Sequence, residues 1–213
     1  MFTGLIEAIC TVKSAQPGTK AMLLTVDLGD VAQDAKIGDS IAVNGVCLTI
    51  ARLNGTVATF DVSTETLAKS AIGRLRASSQ VNVERAMKPA DRFGGHFVQG
   101  HIDGAATIKA IERHGEFVDI TFAAGPELLD QMVEKGSVAV DGTSLTVAGM
   151  DKGTFTVALI PQTLKRTTLG GAKIGDLVNI ETDIIVKAVK KQLQNILPQS
   201  QALTAERLKE LGF

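Results

Sequence analysis

Trp and Tyr are both absent from this 213-residue chain, and its aromatic residues are 8 Phe. A planar ligand must therefore be held mainly by aliphatic side chains and backbone groups. An excess of charge of one sign is also lacking, because 22 basic residues stand against 23 acidic ones. A module for single-stranded nucleic acid would need a basic groove with stacking aromatics. The composition thus argues against nucleic acid and against an anionic membrane surface as partners.

Cysteine and long apolar runs are scarce as well. Cys10 and Cys47 are the two cysteines, which are too few for a disulfide framework and lack the paired spacing of a zinc site. No segment approaches the roughly 18 apolar residues of a membrane span, and the start MFTGLIEAIC lacks the basic region of a signal peptide. Gly94-Gly95 matches no phosphate-loop or dinucleotide fingerprint. We expect a soluble, cytoplasmic protein with reduced thiols, no metal and no nucleotide cofactor.

An internal repeat is the strongest feature that is present. The segment IAVNGVCLTI at 41–50 matches VAVDGTSLTV at 138–147, a shift of 97 residues. The same shift relates three further pairs: Thr66-Leu67 and Thr163-Leu164, Gly73 and Gly170, and VNVE at 81–84 and VNIE at 178–181. GLIE at 4–7 recurs as GHID at 100–103, with a shift of 96. The chain is therefore a tandem duplication of one module.

Each copy is rich in short Val, Ile, Thr and Phe segments that are separated by turn residues, which is typical of an antiparallel all-β domain. Candidate strands span 5–12, 23–26 and 57–62. Asn44-Gly45 and Asp141-Gly142 both predict type I′ hairpin turns. Six strands per copy favour two Greek-key β-barrels, since closure removes exposed edges. The predicted domains are 1–97 and 98–185, followed by a helical tail over 186–213.

The tail changes to helical periodicity. Apolar residues recur at Ile185, Val189, Leu193 and Ile196, with Lys187, Lys190, Lys191 and Gln192 between them. Pro198 should end this helix, and 203–211 could form a second one. The apolar stripe has two interpretations, an oligomerisation element or a helix that folds back on its own barrel.

The outgoing strand of each hairpin carries a polar pair on one face. Alternation places Val46, Leu48 and Ile50 on the core face and Cys47 and Thr49 on the other. In the second copy Leu145 points inward, and Ser144 and Thr146 lie opposite. A duplicated polar pair suits two similar ligands. The alternatives are that these polar side chains simply face solvent and that Cys47 is a small buried apolar side chain.

Two threonines and two histidines are further candidates. Thr66 and Thr163 recur in both copies, where they either cap a helix or contact a ligand. His96 and His101 lie in FGGHFVQGH at 93–101, which joins the copies. Either histidine could transfer protons or contact a ligand. The more common role for such residues is an ordinary surface or hydrogen-bonded histidine.

Six segments together resemble the riboflavin synthase family: MFTG, GDSIAVNGVCLT, VNVERA, GGHFVQGHID, GTSLTV and IPQTLKRTTLG. The resemblance implies a homotrimer of two-barrel chains linked through a C-terminal helix. It also implies conversion of two molecules of 6,7-dimethyl-8-ribityllumazine into riboflavin and 5-amino-6-ribitylamino-uracil, without a cofactor. Lumazine synthase is a candidate partner. In the family the reacting pair lies between the N-terminal barrel of one chain and the C-terminal barrel of another.

The resemblance also implies the residues of two substrate pockets. The N-terminal pocket would contain Gly4, Leu5, Ile6, Cys47, Leu48, Thr49, Asp61, Val62, Ser63, Thr64, Glu65 and Thr66, and Ser40 is a further substrate contact. The C-terminal pocket would contain Gly100, His101, Ile102, Lys135, Ser144, Leu145, Thr146, Ala158, Leu159, Ile160, Pro161, Gln162 and Thr163. The predicted catalytic set is His101, Ser144, Thr146, Cys47 and Thr49, with Asp183 as a support that could instead cap the tail helix.

Differences between the copies suggest different treatment of the two substrates. His101 replaces Leu5, Ser144 replaces Cys47, and Gln162 replaces Glu65. We therefore expect the chemistry that distinguishes the two pockets to lie in the C-terminal pocket and to be carried by His101 and Ser144. The main rival is a lumazine-binding antenna protein, which shares the two-barrel frame without catalysis. Polar pairs in both halves favour the enzyme.

Overall fold

Two closed antiparallel barrels of six strands each make up the computed structural model, which describes residues 1–18 and 21–196. The strands of the first barrel are β1 Ala8–Pro17, β2 Ala21–Asp27, β3 Ser40–Val43, β4 Val46–Asn54, β5 Val57–Ser63 and β6 Gln80–Arg85. Those of the second are β7 Gly104–His114, β8 Phe117–Ala123, β9 Ser137–Val140, β10 Thr143–Asp151, β11 Thr154–Leu159 and β12 Leu177–Thr182. The neighbour order is β1-β2-β5-β4-β3-β6 in the first barrel and β7-β8-β11-β10-β9-β12 in the second. The predicted duplicated all-β fold is confirmed.

Apart from the tail helix, the short helices and 3-10 turns occupy equivalent places in the two copies. The α-helices are α1 Thr64–Lys69, α2 Pro126–Leu129, α3 Pro161–Arg166 and α4 Ile184–Ile196, and 3-10 turns span Gly29–Asp34, Ala71–Arg74 and Thr168–Gly171. Thr66 lies inside α1, where Ser63 is the N-cap and accepts a hydrogen bond from the Thr66 N–H. Thr163 lies inside α3. Neither threonine is therefore the N-cap of its helix, and of the two alternatives the capping one is wrong.

Each barrel encloses its own apolar core. Phe60 and Leu24 are fully buried in the first, and Phe122 stacks on Phe155 in the second with ring centroids 5.0 Å apart. The alternation predicted for β4 is confirmed, because Val46, Leu48 and Ile50 are buried while Thr49 is exposed. Leu145 likewise packs against the second core. The polar pairs of both hairpins therefore point away from the barrel interiors.

The two hairpin turns meet back to back. Asn44 and Gly45 have φ of 44° and 76°, and Asp141 and Gly142 have 43° and 78°, which confirms both type I′ turns. A Cβ on Gly45 would lie 2.6 Å from the Gly142 nitrogen. Only glycine permits this approach, so the hairpins define the seam between the barrels.

Two equivalent asparagines fasten this seam. The side-chain N–H of Asn82 donates to the Asp141 carbonyl at 2.9 Å, and that of Asn179 donates to the Asn44 carbonyl at 2.8 Å. Each amide oxygen also accepts a backbone N–H from a 3-10 turn of the other barrel, Thr168 for Asn82 and Ala71 for Asn179. Each barrel therefore binds the other through the same pair of contacts. The predicted boundaries at 97 and 185 stay a prediction.

The first strand begins later than predicted. The expected strand over 5–12 begins at Ala8, while Leu5 and Ile6 belong to an irregular segment. Gly4 adopts the left-handed conformation, with φ of 77°. Its N–H donates to the Glu84 side chain and its carbonyl accepts from Ser144 of the second barrel, instead of pairing with a neighbouring strand. Contacts between barrels thus override the strand propensity of these residues.

The tail helix α4 confirms the helical pattern. One of its faces packs on the barrel and the other faces solvent. Lys187 pairs with Asp103 at 2.7 Å and Lys190 pairs with Asp130, so the basic face lies on its own barrel. The apolar stripe stays in solvent, with Ile185, Val189 and Leu193 exposed by 53%, 54% and 50%. Pro198 and the predicted helix over 203–211 lie outside the described residues. Within the described part, no helix is long and apolar enough to cross a membrane.

Candidate active site

The segments that precede the two barrels, Gly4–Ile6 and Gly100–Ile102, cross to opposite barrels; we call them the leading segments. The Ser144 N–H donates to the Gly4 carbonyl at 2.8 Å, and the Cys47 N–H donates to the Gly100 carbonyl at 2.9 Å. This arrangement corrects the predicted pockets, which placed Gly4–Ile6 with Cys47 and Gly100–Ile102 with Ser144. Each site therefore combines a hairpin strand of one barrel with the leading segment of the other.

Two buried carboxylates hold the leading segments in place. Glu84 accepts hydrogen bonds from Thr3 N–H and Gly4 N–H at 2.7 and 2.9 Å. Glu181 accepts from Gln99 N–H and Gly100 N–H at 2.7 and 2.8 Å. Burial raises the pKa of both carboxyl groups, while these backbone donors oppose the rise.

The first site, which we call the Cys47 site, is an open cavity of about 250 Å³. Cys47, Glu65 and Thr66 line it from the first barrel, and His101 and Ile102 line it from the second leading segment. Cys47 is half-buried and His101 is exposed. This cavity brings a thiol, a carboxylate, a hydroxyl and an imidazole to one surface.

The second site, which we call the Ser144 site, contains a pair formed by His96 and Ser144 that has no equivalent in the other copy. His96 Nδ1 lies 2.7 Å from Ser144 Oγ, and the ring is 7% exposed. Burial lowers the pKa of His96, so the ring is neutral near pH 7. Its Nε2 is buried without a hydrogen-bond partner among the described residues, as is the hydroxyl of the adjacent Thr143. A neutral imidazole on a serine hydroxyl is an arrangement that can move protons.

Asp183 takes the alternative role of capping the tail helix, and its charge also acts on His96. Its carboxylate accepts a hydrogen bond from the Ile185 N–H at 2.9 Å, immediately before α4, so it caps the tail helix. Its negative charge also opposes the lowering of the His96 pKa. Asp183 thus links the start of the tail helix to the electrostatics of the Ser144 site.

The remaining predicted residues fall into three places. Ser40 pairs across the ladder with exposed Thr49, and Ser40 and Leu5 line a separate cavity of about 440 Å³. Lys135 is exposed and donates from Nζ to the Ala148 carbonyl at 2.7 Å. The other residues lie on the outgoing strands β4 and β10 or run from the next strands, β5 and β11, into α1 and α3: Leu48, Asp61, Val62, Ser63 and Thr64 in the first copy, and Leu145, Thr146, Ala158, Leu159, Ile160, Pro161, Gln162 and Thr163 in the second.

The expected grouping of His101 with Ser144 is also corrected. His101 lines the Cys47 site, whereas the imidazole beside Ser144 is that of His96. The sequence marked His96 only as a candidate and left it out of the predicted catalytic set, because the segment that carries it has no copy in the first half. Glu84 and Glu181 were missed, although the repeat of VNVE and VNIE was a signal for them. Among the described residues, no group of three or more His, Cys, Asp or Glu side chains could hold a metal ion.

Solved structures with similar folds are those of LumP. LumP complexed with 6,7-dimethyl-8-(1'-D-ribityl) lumazine matches with a TM-score of 0.78 and 20% identity, covering 85% of this chain and 99% of that chain. LumP complexed with riboflavin matches with a TM-score of 0.79 and 22% identity, with the same coverage. At this level of identity the similarity supports the two-barrel fold alone.

Sequence comparisons identify the family. The lumazine binding domain matches twice, over residues 3–86 and 99–183. Riboflavin synthase of Bacillus subtilis (strain 168) is 42% identical over 215 residues, and that of Actinobacillus pleuropneumoniae is 41% identical over 216, each with both chains covered in full. Riboflavin synthase of Mycobacterium bovis is 44% identical over 201 residues, 92% of this chain and 99% of that one. With two lumazine binding domains and full-length similarity to these enzymes, the chain belongs to the riboflavin synthase family.

Proposed function

We propose that this protein is a riboflavin synthase, which converts two molecules of 6,7-dimethyl-8-ribityllumazine into riboflavin and 5-amino-6-ribitylamino-uracil. The observation that carries this function is the full-length identity of 42% to the Bacillus subtilis enzyme. The geometry agrees with it, because one chain presents two related sites that are each built from both barrels. A dismutation needs two copies of one substrate, and the duplication supplies two copies of one site.

The reaction moves a four-carbon unit from one lumazine to the other. The donor loses carbons 6 and 7 with their methyl groups and becomes the pyrimidine. The acceptor's two methyl carbons bond to the transferred ring carbons. The new six-membered ring of riboflavin therefore contains two ring carbons from the donor and four carbons of the acceptor, and the donor's two methyl groups remain as its substituents. Atoms balance without an oxidant or a reductant. The 7-methyl group of the substrate is acidic because its anion delocalises into the ring. The protein must therefore hold two rings in reacting geometry and move protons between them.

The Ser144 site is proposed to supply one of the proton-transferring groups. With its proton on Nε2, neutral His96 accepts the hydrogen bond of the Ser144 hydroxyl and increases the basicity of that oxygen. The Cys47 site offers a thiol in the equivalent strand position, with His101 on the opposing leading segment. The chemical difference between the two sites is consistent with separate donor and acceptor roles. Thr49 and Thr146 occupy equivalent exposed positions beside these groups.

We further propose that the chain assembles as a cytoplasmic homotrimer through the tail helix. The basic face of α4 lies on its own barrel through Lys187 and Lys190, which leaves the apolar stripe available to another subunit. In such an assembly the substrate pair would lie between barrels of neighbouring chains. Lumazine synthase, whose product would be this substrate, is a candidate partner.

The test is incubation of the purified protein with 6,7-dimethyl-8-ribityllumazine, with riboflavin followed by its fluorescence. We expect riboflavin to form without any added cofactor. The alternative function is that of a lumazine-binding antenna protein, which would bind the compound tightly and form no riboflavin. The enzyme is favoured because the LumP structures share only 20% to 22% identity with this chain.

A further inference from the structure

The Glu84 carboxylate uses both of its oxygens to bind the first leading segment and the residue before it. Oε1 accepts from the Thr3 N–H and from the Thr3 hydroxyl, both at 2.7 Å, and Oε2 accepts from the Gly4 N–H at 2.9 Å. Thr3 Oγ1 in turn accepts from the Leu5 N–H at 3.2 Å. A single side chain thus binds three consecutive residues, directly or through Thr3.

Glu181 makes the equivalent contacts in the second copy. Oε1 accepts from the Gln99 N–H at 2.7 Å, and Oε2 accepts from the Gly100 and His101 N–H groups at 2.8 and 3.1 Å. His101 lines the Cys47 site, so this carboxylate binds the backbone of a predicted catalytic residue. Both copies of the repeat therefore use a glutamate on the last barrel strand for the same purpose.

These carboxylates are buried without a salt bridge within the described part of the chain. Glu84 is 4% exposed and Glu181 is 1% exposed. The nearest charges act weakly: Glu7 faces Glu84, while Lys187 and Asp103, which pair with each other, face Glu181. Burial of an unpaired charge is costly unless hydrogen bonds compensate for it. Three donors satisfy each carboxylate, and their number indicates that the charge serves to order the backbone.

The held backbone is also the part that bridges the barrels. The N–H of Gly4 binds Glu84 while its carbonyl accepts from Ser144, and Gly100 does the same between Glu181 and Cys47. Both glycines have left-handed φ, 77° and 82°, which aims the N–H and the carbonyl in these directions. Glu84 is therefore connected to Ser144, and Glu181 to Cys47, through two successive hydrogen bonds that share one glycine.

We propose that Glu84 and Glu181 are positioning residues for the two sites, with Glu84 setting the Ser144 site and Glu181 setting the Cys47 site. The inference rests on the proposed function for its kinetic consequence, but its structural part does not depend on turnover. It makes each site depend on one barrel for its hairpin and on the other for the carboxylate that orders its leading segment.

Glu84→Gln and Glu181→Gln are the matched variants that test this proposal. An amide keeps the size of the side chain but turns one acceptor oxygen into a donor, which opposes a backbone N–H. Hydrogen exchange measured by mass spectrometry or NMR should show faster exchange of Thr3 and Gly4 amides in the first variant alone. Gln99, Gly100 and His101 amides should exchange faster in the second alone. Glu116→Gln, in an exposed turn, is the control and should change neither region.

Kinetics then separate positioning from general stability. We expect each glutamine variant to lower kcat by about 10²-fold, since a misplaced reacting group costs this much. The barrels should still unfold cooperatively in a thermal melt. KM should change less than kcat. Thr3→Val, which removes one of the three donors to Glu84, provides a milder variant if Glu84→Gln folds poorly, and it should give a smaller effect in the same direction.

Three results would overturn the proposal. Unchanged exchange at the named amides would show that the carboxylates do not order the leading segments. Loss of kcat only in proportion to loss of folded protein would leave a purely structural role. Equal disturbance of both segments by either variant would contradict the separate control of two sites. Wild-type protein that forms no riboflavin would instead reject the proposed function, while the exchange result would still stand.

Discussion

His96 Nδ1 lies 2.7 Å from Ser144 Oγ, although one residue belongs to the segment between the barrels and the other to the second hairpin. The backbone fixes this pair, because the His96 N–H donates to the Thr3 carbonyl at 3.1 Å while Ser144 N–H donates to Gly4. The N-terminal residues thus hold the imidazole and the hydroxyl from both sides. This relationship links the fold of the N-terminal segment to the chemistry of the Ser144 site.

Removal of the imidazole should therefore reduce turnover more than binding. We expect His96→Leu to lower kcat on the order of 10²-fold, as for loss of a group that assists proton transfer. His96→Asn, whose side chain can still reach Ser144, should retain more activity. Steady-state kinetics over a pH series measure both variants. His114→Leu, at an exposed histidine, is the control. Equal kcat for His96→Leu and wild type would show that His96 takes no part in the reaction.

The glycines of the leading segments should tolerate no side chain. A Cβ on Gly4 would lie 2.6 Å from Ser144 Cβ, and a Cβ on Gly100 would lie 2.5 Å from Cys47 Cβ. Left-handed strain and overpacking together predict a loss of roughly 2 to 5 kcal/mol in the free energy of unfolding for either alanine variant. Chemical denaturation measures this loss.

Gly55→Ala is the matched control for these variants. Gly55 has φ 59°, yet a Cβ at this position would have no neighbour within 4 Å, so the strain of the backbone acts alone. We expect a loss of about 1 kcal/mol. Equal losses at Gly4, Gly100 and Gly55 would contradict the close approach between the barrels.

The sequence predicts the local features of this fold and misses the relations between distant segments. Asn44-Gly45 and Asp141-Gly142 determine their turns by their own φ preferences, so both hairpins could be predicted. The crossing of the leading segments could not, because a repeat shows which residues are equivalent and not which of them touch. His96 was underestimated for a related reason: it has no counterpart before Gly4, so the repeat gave it no support.

Asp141 should make stability depend on pH. Burial raises the pKa of this carboxyl from 3.8 to about 7. In the folded state the group stays protonated up to about pH 7, whereas in the unfolded chain it ionises near 3.8, so the folded state binds more protons in between. The contribution of Asp141 to stability is therefore greatest below pH 3.8 and is lost as the pH rises to about 7.

Asp141→Asn should remove this dependence, because the equivalent turn already contains Asn44. We expect the variant to gain about 2 to 4 kcal/mol in the free energy of unfolding at about pH 8 and about 1 to 2 kcal/mol at about pH 5, because the pKa is 3.8 in the unfolded state and about 7 in the folded state. Urea unfolding at both pH values provides the measurement. Asn44→Asp, the reverse change, should lose stability at the higher pH. An Asp141→Asn variant with the pH profile of wild type would show that Asp141 is not the group responsible.

The apolar stripe of α4 should control assembly. Val189 is 54% exposed and Ile185 is 53% exposed, so an aspartate at either position has little effect on the core of its own barrel. We expect Val189→Asp to convert the proposed trimer to smaller species and to reduce turnover, with thermal unfolding of the barrels retained. Light scattering after size-exclusion chromatography gives the mass. Lys191→Asp, off the stripe, should leave the mass unchanged. An intact trimer in Val189→Asp would show that the stripe is not the interface.

Two related sites that act on two molecules of one compound are central to the proposed function. The most direct measurement is the stoichiometry of a complete reaction with purified 6,7-dimethyl-8-ribityllumazine, in which substrate and both products are quantified by chromatography. We predict one riboflavin and one 5-amino-6-ribitylamino-uracil for every two molecules consumed, without any added cofactor. Binding of the compound with no riboflavin formed, or riboflavin formed without an equal amount of the pyrimidine, would contradict it.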